Sequence, residues 1–295
     1  MKKRSGNVAL LGRPNVGKST LLNRLVDAPV AIVTHKPQTT RHRIIGIHTD
    51  QRGQAVFVDT PGLHRRRDHA LNRRLNRIAA ESSQGVDALA LVLDASHQTE
   101  EDDLALAQVA RFEGPHLLII NKIDLLKDRA GLLELTKKWT ESADFDAVVY
   151  VSALRNDGIE DVLSEVFAVL PEGEPAYSDD QFTDRSERFL AAEMIREQLM
   201  LMLHQEIPYG LSVIIERFER TGRRIEIDAL IVVTEDRHKG MVIGRQGQVL
   251  KRVGTRARAA IADLLQERIH LNLHVRTRKG WVDDEGQLDE LGYAR

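Results

Sequence analysis

The sequence predicts a doubly wound α/β domain with a mostly parallel sheet, followed by a smaller α+β domain. Three observations predict this. Residues 7–170 alternate strand-like and helix-like segments. Two apolar runs, Leu89-Ala90-Leu91-Val92-Leu93 and Leu117-Leu118-Ile119-Ile120, show no polar alternation, so their strands belong to a sheet covered on both faces. Finally, Pro171-Glu172-Gly173-Glu174-Pro175 and Ser178-Asp179-Asp180 are rich in turn formers, and the order of elements changes after them.

Taken in order, the first half carries strands at 8–11, 42–49, 55–59, 88–93, 116–121 and 147–151. Helices at 18–26, 70–82, 102–112, 130–141 and 159–170 lie between most of them. The first domain is then 1–170 and the linker 171–185. The second domain, 186–280, opens with a long helix at 186–204. Strands follow at 211–219 and 224–233, joined by a turn at Thr221-Gly222. A glycine-bounded turn, a helix at 248–267 and a strand at 269–276 complete it. Residues 281–295 form an acidic tail.

With 295 residues, 42% hydrophobic and 29% charged, the chain is long enough for roughly two domains and too apolar for disorder. No apolar run approaches the roughly 18 residues of a membrane span. Met1-Lys2-Lys3-Arg4 is followed by Ser5-Gly6-Asn7 rather than an apolar stretch, so no secretory signal is expected. The absence of cysteine excludes disulfides and thiolate metal sites, and a cytoplasmic location is the simplest reading. Charge is balanced overall, 42 − 44 = −2. It is uneven locally: 241–280 hold nine basic and two acidic residues, 65–77 six and one, and 281–290 five acids and no base. Most charge runs are solvated faces, but a basic segment beside a glycine turn lets a phosphate backbone approach.

Gly12-Arg13-Pro14-Asn15-Val16-Gly17-Lys18-Ser19, with Thr20 after it, fits G-x-x-x-x-G-K-S between a strand and a helix. Such a loop curls its N–H groups around a β-phosphate, aided by the helix N-terminus. Lys18 would neutralise β- and γ-oxygens, and Ser19 would offer its hydroxyl to Mg²⁺. Asp59-Thr60-Pro61-Gly62 ends an apolar strand in a D-x-x-G turn. Asp59 would hold Mg²⁺, usually through water, and the Gly62 N–H would sense a γ-phosphate. Asn121-Lys122-Ile123-Asp124 also follows an apolar strand. The Asp124 carboxylate would accept from guanine N1–H and the N2 amine, donors that adenine lacks. Ser152-Ala153 would present a backbone N–H to guanine O6.

In this order these elements resemble the translation-factor-related GTPase superfamily. Pro37-Gln38-Thr39-Thr40-Arg41 looks like the switch I segment of its Era family. Val242-Ile243-Gly244-Arg245-Gln246-Gly247-Gln248-Val249-Leu250 looks like a KH signature in the α-β-β-α-α-β order of type II KH domains, and the tail 281–293 also looks like that family. A bare G-x-x-G is expected by chance about once in such a chain, so the flanking strand and basic helix carry the match.

The resemblance implies a P-loop GTPase domain joined to a type II KH domain. It implies GTP/GDP and Mg²⁺ as ligands, with Thr40 completing the Mg²⁺ site beside Ser19 and Thr39 the weaker candidate. Asn15 and the 31–40 loop look like the K⁺-binding segment of related GTPases. Lys18, Thr40 and Gly62 are the candidate catalytic positions. Leu63 stands where Ras-like enzymes place a water-orienting glutamine, so slow turnover is implied. Val242, Ile243, Gly244, Arg245, Gln246, Gly247, Lys251 and Arg252 would meet single-stranded RNA, over an aliphatic floor that includes Val249, Ile231 and Val233. The implied partner is small-subunit ribosomal RNA near its 3′ end, during assembly of that subunit, with the protein acting as a monomer. Two other readings stay open: an RNA-binding module whose nucleotide domain is mainly structural, and a GTPase peripheral to the inner membrane, touching anionic lipid through Arg65-Arg66-Arg67, Arg73, Arg74 and Arg77.

Overall fold

The computed structural model describes residues 2–36, 38–62, 69–82, 84–126, 128, 130–203 and 207–293. Pro37, Leu63, His64, Arg65, Arg66, Arg67 and His204 lie outside the described residues. The chain divides into two compact units. One comprises Met1–Ala31, Thr40–Arg67 and Leu75–Asp184; the other comprises Ile32–Thr39, Asp68–Arg74 and Arg185–Arg295.

In the first unit, β1 (Arg4–Leu11) leads to α1 (Lys18–Leu25), β2 (Ile44–Asp50) and β3 (Gly53–Asp59). The helix α2 (Ala70–Glu81) begins within Asp68–Arg74 and runs on into this unit. β4 (Ala88–Asp94), α3 (Glu100–Val109), β5 (His116–Asn121), α4 (Ala130–Thr140), β6 (Ala147–Val151) and α5 (Ile159–Val169) follow. The sheet order is β2-β3-β1-β4-β5-β6. β2 pairs antiparallel with β3, and the other pairings are parallel. Every residue of β3 and β4 is buried, as an unalternating apolar strand requires in a sheet covered on both faces.

Several boundaries differ from the predicted ones, and three of the differences have a clear physical reason. β1 starts at Arg4 because Arg4, Ser5 and Gly6 pair with Gly53, Gln54 and Ala55. α3 starts at Glu100 because Thr99 caps it: its hydroxyl accepts from Glu101 N–H, and the Asp102 carboxylate accepts from Thr99 N–H. The stretch expected as a linker is bonded to its own unit through residue 184. Gln54 Oε1 accepts from the N–H groups of Ala176 and Tyr177, Ile47 N–H donates to Phe182 O, and the Thr183 hydroxyl donates to Ile45 O.

In the second unit, α6 (Glu187–Met202) is followed by β7 (Leu211–Thr221), β8 (Arg224–Val233), α7 (Asp236–Ile243), α8 (Gln248–Leu265), β9 (Arg268–Thr277) and the short α9 (Glu285–Glu290). The sheet order is β7-β8-β9, with β7–β8 antiparallel and β8–β9 parallel. Leu199, Ile227, Ile231, Val233, Val242, Val253 and Ile261 are core members that are fully buried. Burial of such aliphatic side chains contributes about 1.5–3 kcal/mol each. The acidic tail is part of this unit. Trp281 stacks on Tyr293 with ring centroids 5.9 Å apart and donates Nε1–H to Gly210 O at 3.2 Å. Among the described residues no helix is long and apolar enough to cross a membrane.

Candidate functional site

The phosphate loop, the D-x-x-G turn, the N-K-x-D turn and the Ser152 turn all follow the C-terminal ends of parallel strands. That is the rim where an open α/β sheet binds its ligands. The sheet therefore brings together residues spread from Gly12 to Ala153.

Gly17 is the N-cap of α1 with φ +100°, and a Cβ there would stand 2.3 Å from the Asn121 amide nitrogen. Only glycine fits that approach. The Lys18 ammonium donates to the carbonyls of Gly12 and Arg13 at 2.8 and 2.9 Å, which folds the loop around its own lysine. Burial lowers the Lys18 pKa to about 8, with Asp59 acting in the opposite direction. An anion arriving at the loop would restore the charge-stabilising environment that burial removes.

The Ser19 hydroxyl donates to Asp59 Oδ2 at 2.6 Å and lies 2.9 Å from Thr40 Oγ1. Thr40 Oγ1 is in turn 3.4 Å from Asp59 Oδ2. Among the described residues Asp59 Oδ1 is buried without a hydrogen-bond partner, and burial pushes the Asp59 pKa up despite Lys18. Two hydroxyls and a carboxylate with an unsatisfied oxygen make an all-oxygen donor set, which suits a hard divalent cation such as Mg²⁺. Gly62 comes so close to the phosphate loop that a Cβ would meet Pro14 N at 2.6 Å. Thr60 braces the turn by donating to Leu10 O at 3.3 Å.

Asn121 ties three loops together. Its Nδ2 donates to Val16 O at 2.8 Å, and its Oδ1 accepts from Lys122 N–H and Ala153 N–H at 2.8 and 3.0 Å. Lys122 Nζ donates to Asn15 O at 2.6 Å and to Asp94 Oδ2 at 2.7 Å. The Asp124 carboxylate accepts from the Ser152 hydroxyl at 2.6 Å, which fixes the plane of the group expected to read guanine. The Ile123 side chain packs into the core, so only its backbone belongs to the turn. Likewise, the Arg13 guanidinium is engaged by Asp102 at 3.1 Å and by His97 O at 2.6 Å. It braces the loop from behind, and only its backbone fits the predicted ligand contact.

Sequence reasoning missed three supports. Asp94 ends β4 and holds Lys122. Burial opposes its charge, but hydrogen bonds from Lys122 and Ser96 keep its carboxyl below the usual range. The available signal was its place at the end of an apolar run, as with Asp59 and Asn121. Arg24 of α1 donates to Ala153 O at 3.1 Å and steadies the Ser152-Ala153 turn. Arg155 Nε stands 3.8 Å from Asp124 Oδ2.

The second predicted surface lies wholly in the second unit. Gly244 ends α7 with φ +72°, Arg245 and Gln246 are exposed, and Gly247 caps α8 with φ +74°. A Cβ at Gly244 would meet Val249 Cγ2 at 2.4 Å, so the turn closes on its own helix. α8 buries Val253, Ala257 and Ile261 at four-residue spacing, which leaves Lys251, Arg252, Arg256 and Arg258 exposed. Val242, Ile231 and Val233, expected as groove floor, are fully enclosed in the core. They support the turn from beneath and offer a ligand no surface. Ile243 and Val249 are partly exposed and fit the expectation better.

Comparison with known proteins finds relatives of both halves of the chain. The family described as 50S ribosome-binding GTPase matches residues 7–122, and the KH domain family matches 206–282. GTPase Era of Xanthomonas oryzae pv. oryzae (strain MAFF 311018) is 48% identical over 290 residues, 98% of this chain and 97% of its own length. GTPase Era of Stenotrophomonas maltophilia (strain R551-3) is 48% identical over 289 residues, with the same coverage of both chains. The fold matches a crystal structure of an Aquifex aeolicus Era variant bound to GDP·AlF4⁻ at 30% identity and TM-score 0.94, over 99% of this chain and 100% of that one. A crystal structure of Era with MgGDPNP and nucleotides 1506–1542 of 16S ribosomal RNA matches with TM-score 0.95, the same identity and the same coverage. With a GTPase domain and a KH domain in one chain, this protein belongs to the Era family of GTPases.

Proposed function

We propose that the chain is a GTP-controlled binder of small-subunit ribosomal RNA near its 3′ end, acting in assembly of that subunit. The observation that carries this reading is the exposed, basic Gly244–Gly247 turn and α8 in a chain whose fold matches an Era bound to 16S nucleotides at TM-score 0.95.

In this reading Ser19, Thr40 and Asp59 would hold Mg²⁺. The ion, when bound, neutralises charge on β- and γ-phosphate oxygens. Lys18 leaves the Gly12 and Arg13 carbonyls to meet the same oxygens. The Gly62 N–H senses the γ-phosphate, and Asp124, held by Ser152, selects guanine. Hydrolysis removes the γ-phosphate and with it the hold on Thr40 and Gly62. In the second unit, Arg245 and the α8 N-terminus meet phosphates while Lys251 and Arg252 extend the positive track.

If the nucleotide controls RNA binding, linkage requires RNA to favour GTP over GDP by the same factor. The test is RNA affinity with a non-hydrolysable GTP analogue and with GDP, for the wild type and Arg245→Asp. A tighter analogue complex that the substitution weakens supports the reading. Equal affinities would leave an RNA-binding module with a structural nucleotide domain. Crosslinking of the GTP-bound protein to total RNA, with mapping of the contacted bases, tests the partner.

A further inference from the structure

The stretch Ile32–Thr39 belongs to the same unit as α6. Three side chains hold it there. The Glu197 carboxylate accepts from Val33 N–H at 2.8 Å. Arg196 Nη2 donates to the Thr39 carbonyl at 2.6 Å. Lys36 Nζ donates to the carbonyls of Met200 and Leu203, at the C-terminal end of α6, where helix carbonyls lack partners and the dipole favours a cation. Residues 193, 196, 197 and 200 share one face of α6 through three- and four-residue spacing.

Arg196 is the central group. It is buried, and Glu193 grips it in a fork: Nε donates to Oε1 at 2.7 Å and Nη2 to Oε2 at 2.6 Å. A guanidinium is planar and makes both contacts without turning away from the Thr39 carbonyl; an ammonium lacks that fixed fork. The peptide that follows is planar, so fixing the Thr39 carbonyl fixes the direction in which Thr40 leaves it. Thr40 Oγ1 then sits 2.9 Å from Ser19 Oγ.

We propose that Arg196 is a positioning residue for the Mg²⁺ ligand Thr40: a side chain of the KH-bearing unit sets the peptide that delivers this hydroxyl to the nucleotide site. The proposal rests on the reading of Thr40 as an Mg²⁺ ligand, so its test separates the two. Arg196→Lys keeps a cation beside Glu193, whereas Arg196→Met removes that cation from a buried carboxylate and carries the larger folding risk. The measurement is the Mg²⁺ concentration for half-maximal binding of a non-hydrolysable GTP analogue. It is made on wild type, Arg196→Lys, Thr40→Ala and the double variant, with GDP affinity alongside. Arg196→Lys is expected to raise the Mg²⁺ requirement about tenfold, the scale of one charge-assisted hydrogen bond, while GDP affinity stays within about twofold. In the Thr40→Ala background it adds nothing further, because both act through one hydroxyl. If Thr40→Ala raises the requirement and Arg196→Lys does not, or if the two losses multiply, the positioning role is overturned while Thr40 keeps its own. If Thr40→Ala has no effect, the reading of Thr40 falls, and the role given to Arg196 falls with it.

Discussion

The phosphate loop and the Gly244–Gly247 turn end alike: each passes through a glycine with positive φ that caps a helix, Gly17 on α1 and Gly247 on α8. Their surroundings are opposite. Around Gly17 the loop carbonyls are occupied, by Lys18 at Gly12 and Arg13, by Lys122 at Asn15 and by Asn121 at Val16. Around Gly247 a Cβ would meet nothing within 4 Å, and Arg245 and Gln246 face solvent. The first is a pre-organised mould for one compact anion. The second is an open platform along which a polymer can lie. Substitutions should therefore act all-or-none at the first and by degrees at the second.

The sharpest break would come at Gly17. Gly17→Ala is expected to weaken GTP binding by about 100-fold or more, because the methyl displaces the Asn121 amide and the αL backbone is strained. Calorimetric titration giving near-normal affinity would contradict the mould. Next, Asp124→Asn should weaken GTP by roughly 30-fold and shift preference towards xanthosine nucleotides, since the carboxylate loses its charge-assisted bonds to guanine. Competition among guanosine, xanthosine and adenosine triphosphates checks it.

A third comparison lies within the platform. Gly244→Ala should lower stability by about 2 kcal/mol, combining the strain of a positive-φ, extended-ψ backbone that essentially only glycine adopts with the clash against Val249. Gly247→Ala should cost about 1 kcal/mol, from strain alone. Thermal melts that rank the two in reverse would refute the packing described. Smallest, Lys251→Ala and Arg252→Ala should each reduce RNA affinity about threefold and shift the salt slope by about one, equally for any sequence. A sequence-dependent loss would mean that they touch bases.

What the sequence disclosed follows the same division. Lys18, Ser19, Asp59, Asn121 and Asp124 stand out in the sequence because they fall in fixed-spacing motifs, and the structure gathers them at neighbouring strand ends. Asp94, Arg24 and Arg196 do not, because each acts by holding another residue from a distant segment, for which no spacing exists. The start of α3 was misplaced because Asp102 reads equally well as a helix start and as the third residue of a capping box. Val242 was read as surface because an apolar residue beside a loop looks the same from sequence whether it points inward or outward; its place on α7 turns it inward.

The 171–184 stretch carries one more consequence. β2 is one of the two edge strands of the six-stranded sheet, and Ile47 N–H and Ile45 O, which face away from β3, are taken by Phe182 and Thr183. An uncovered outer strand is a template for pairing with another molecule. These residues thus cover the β2 edge, and a chain cut at 170 would expose a sticky margin there that one cut at 184 keeps sheathed.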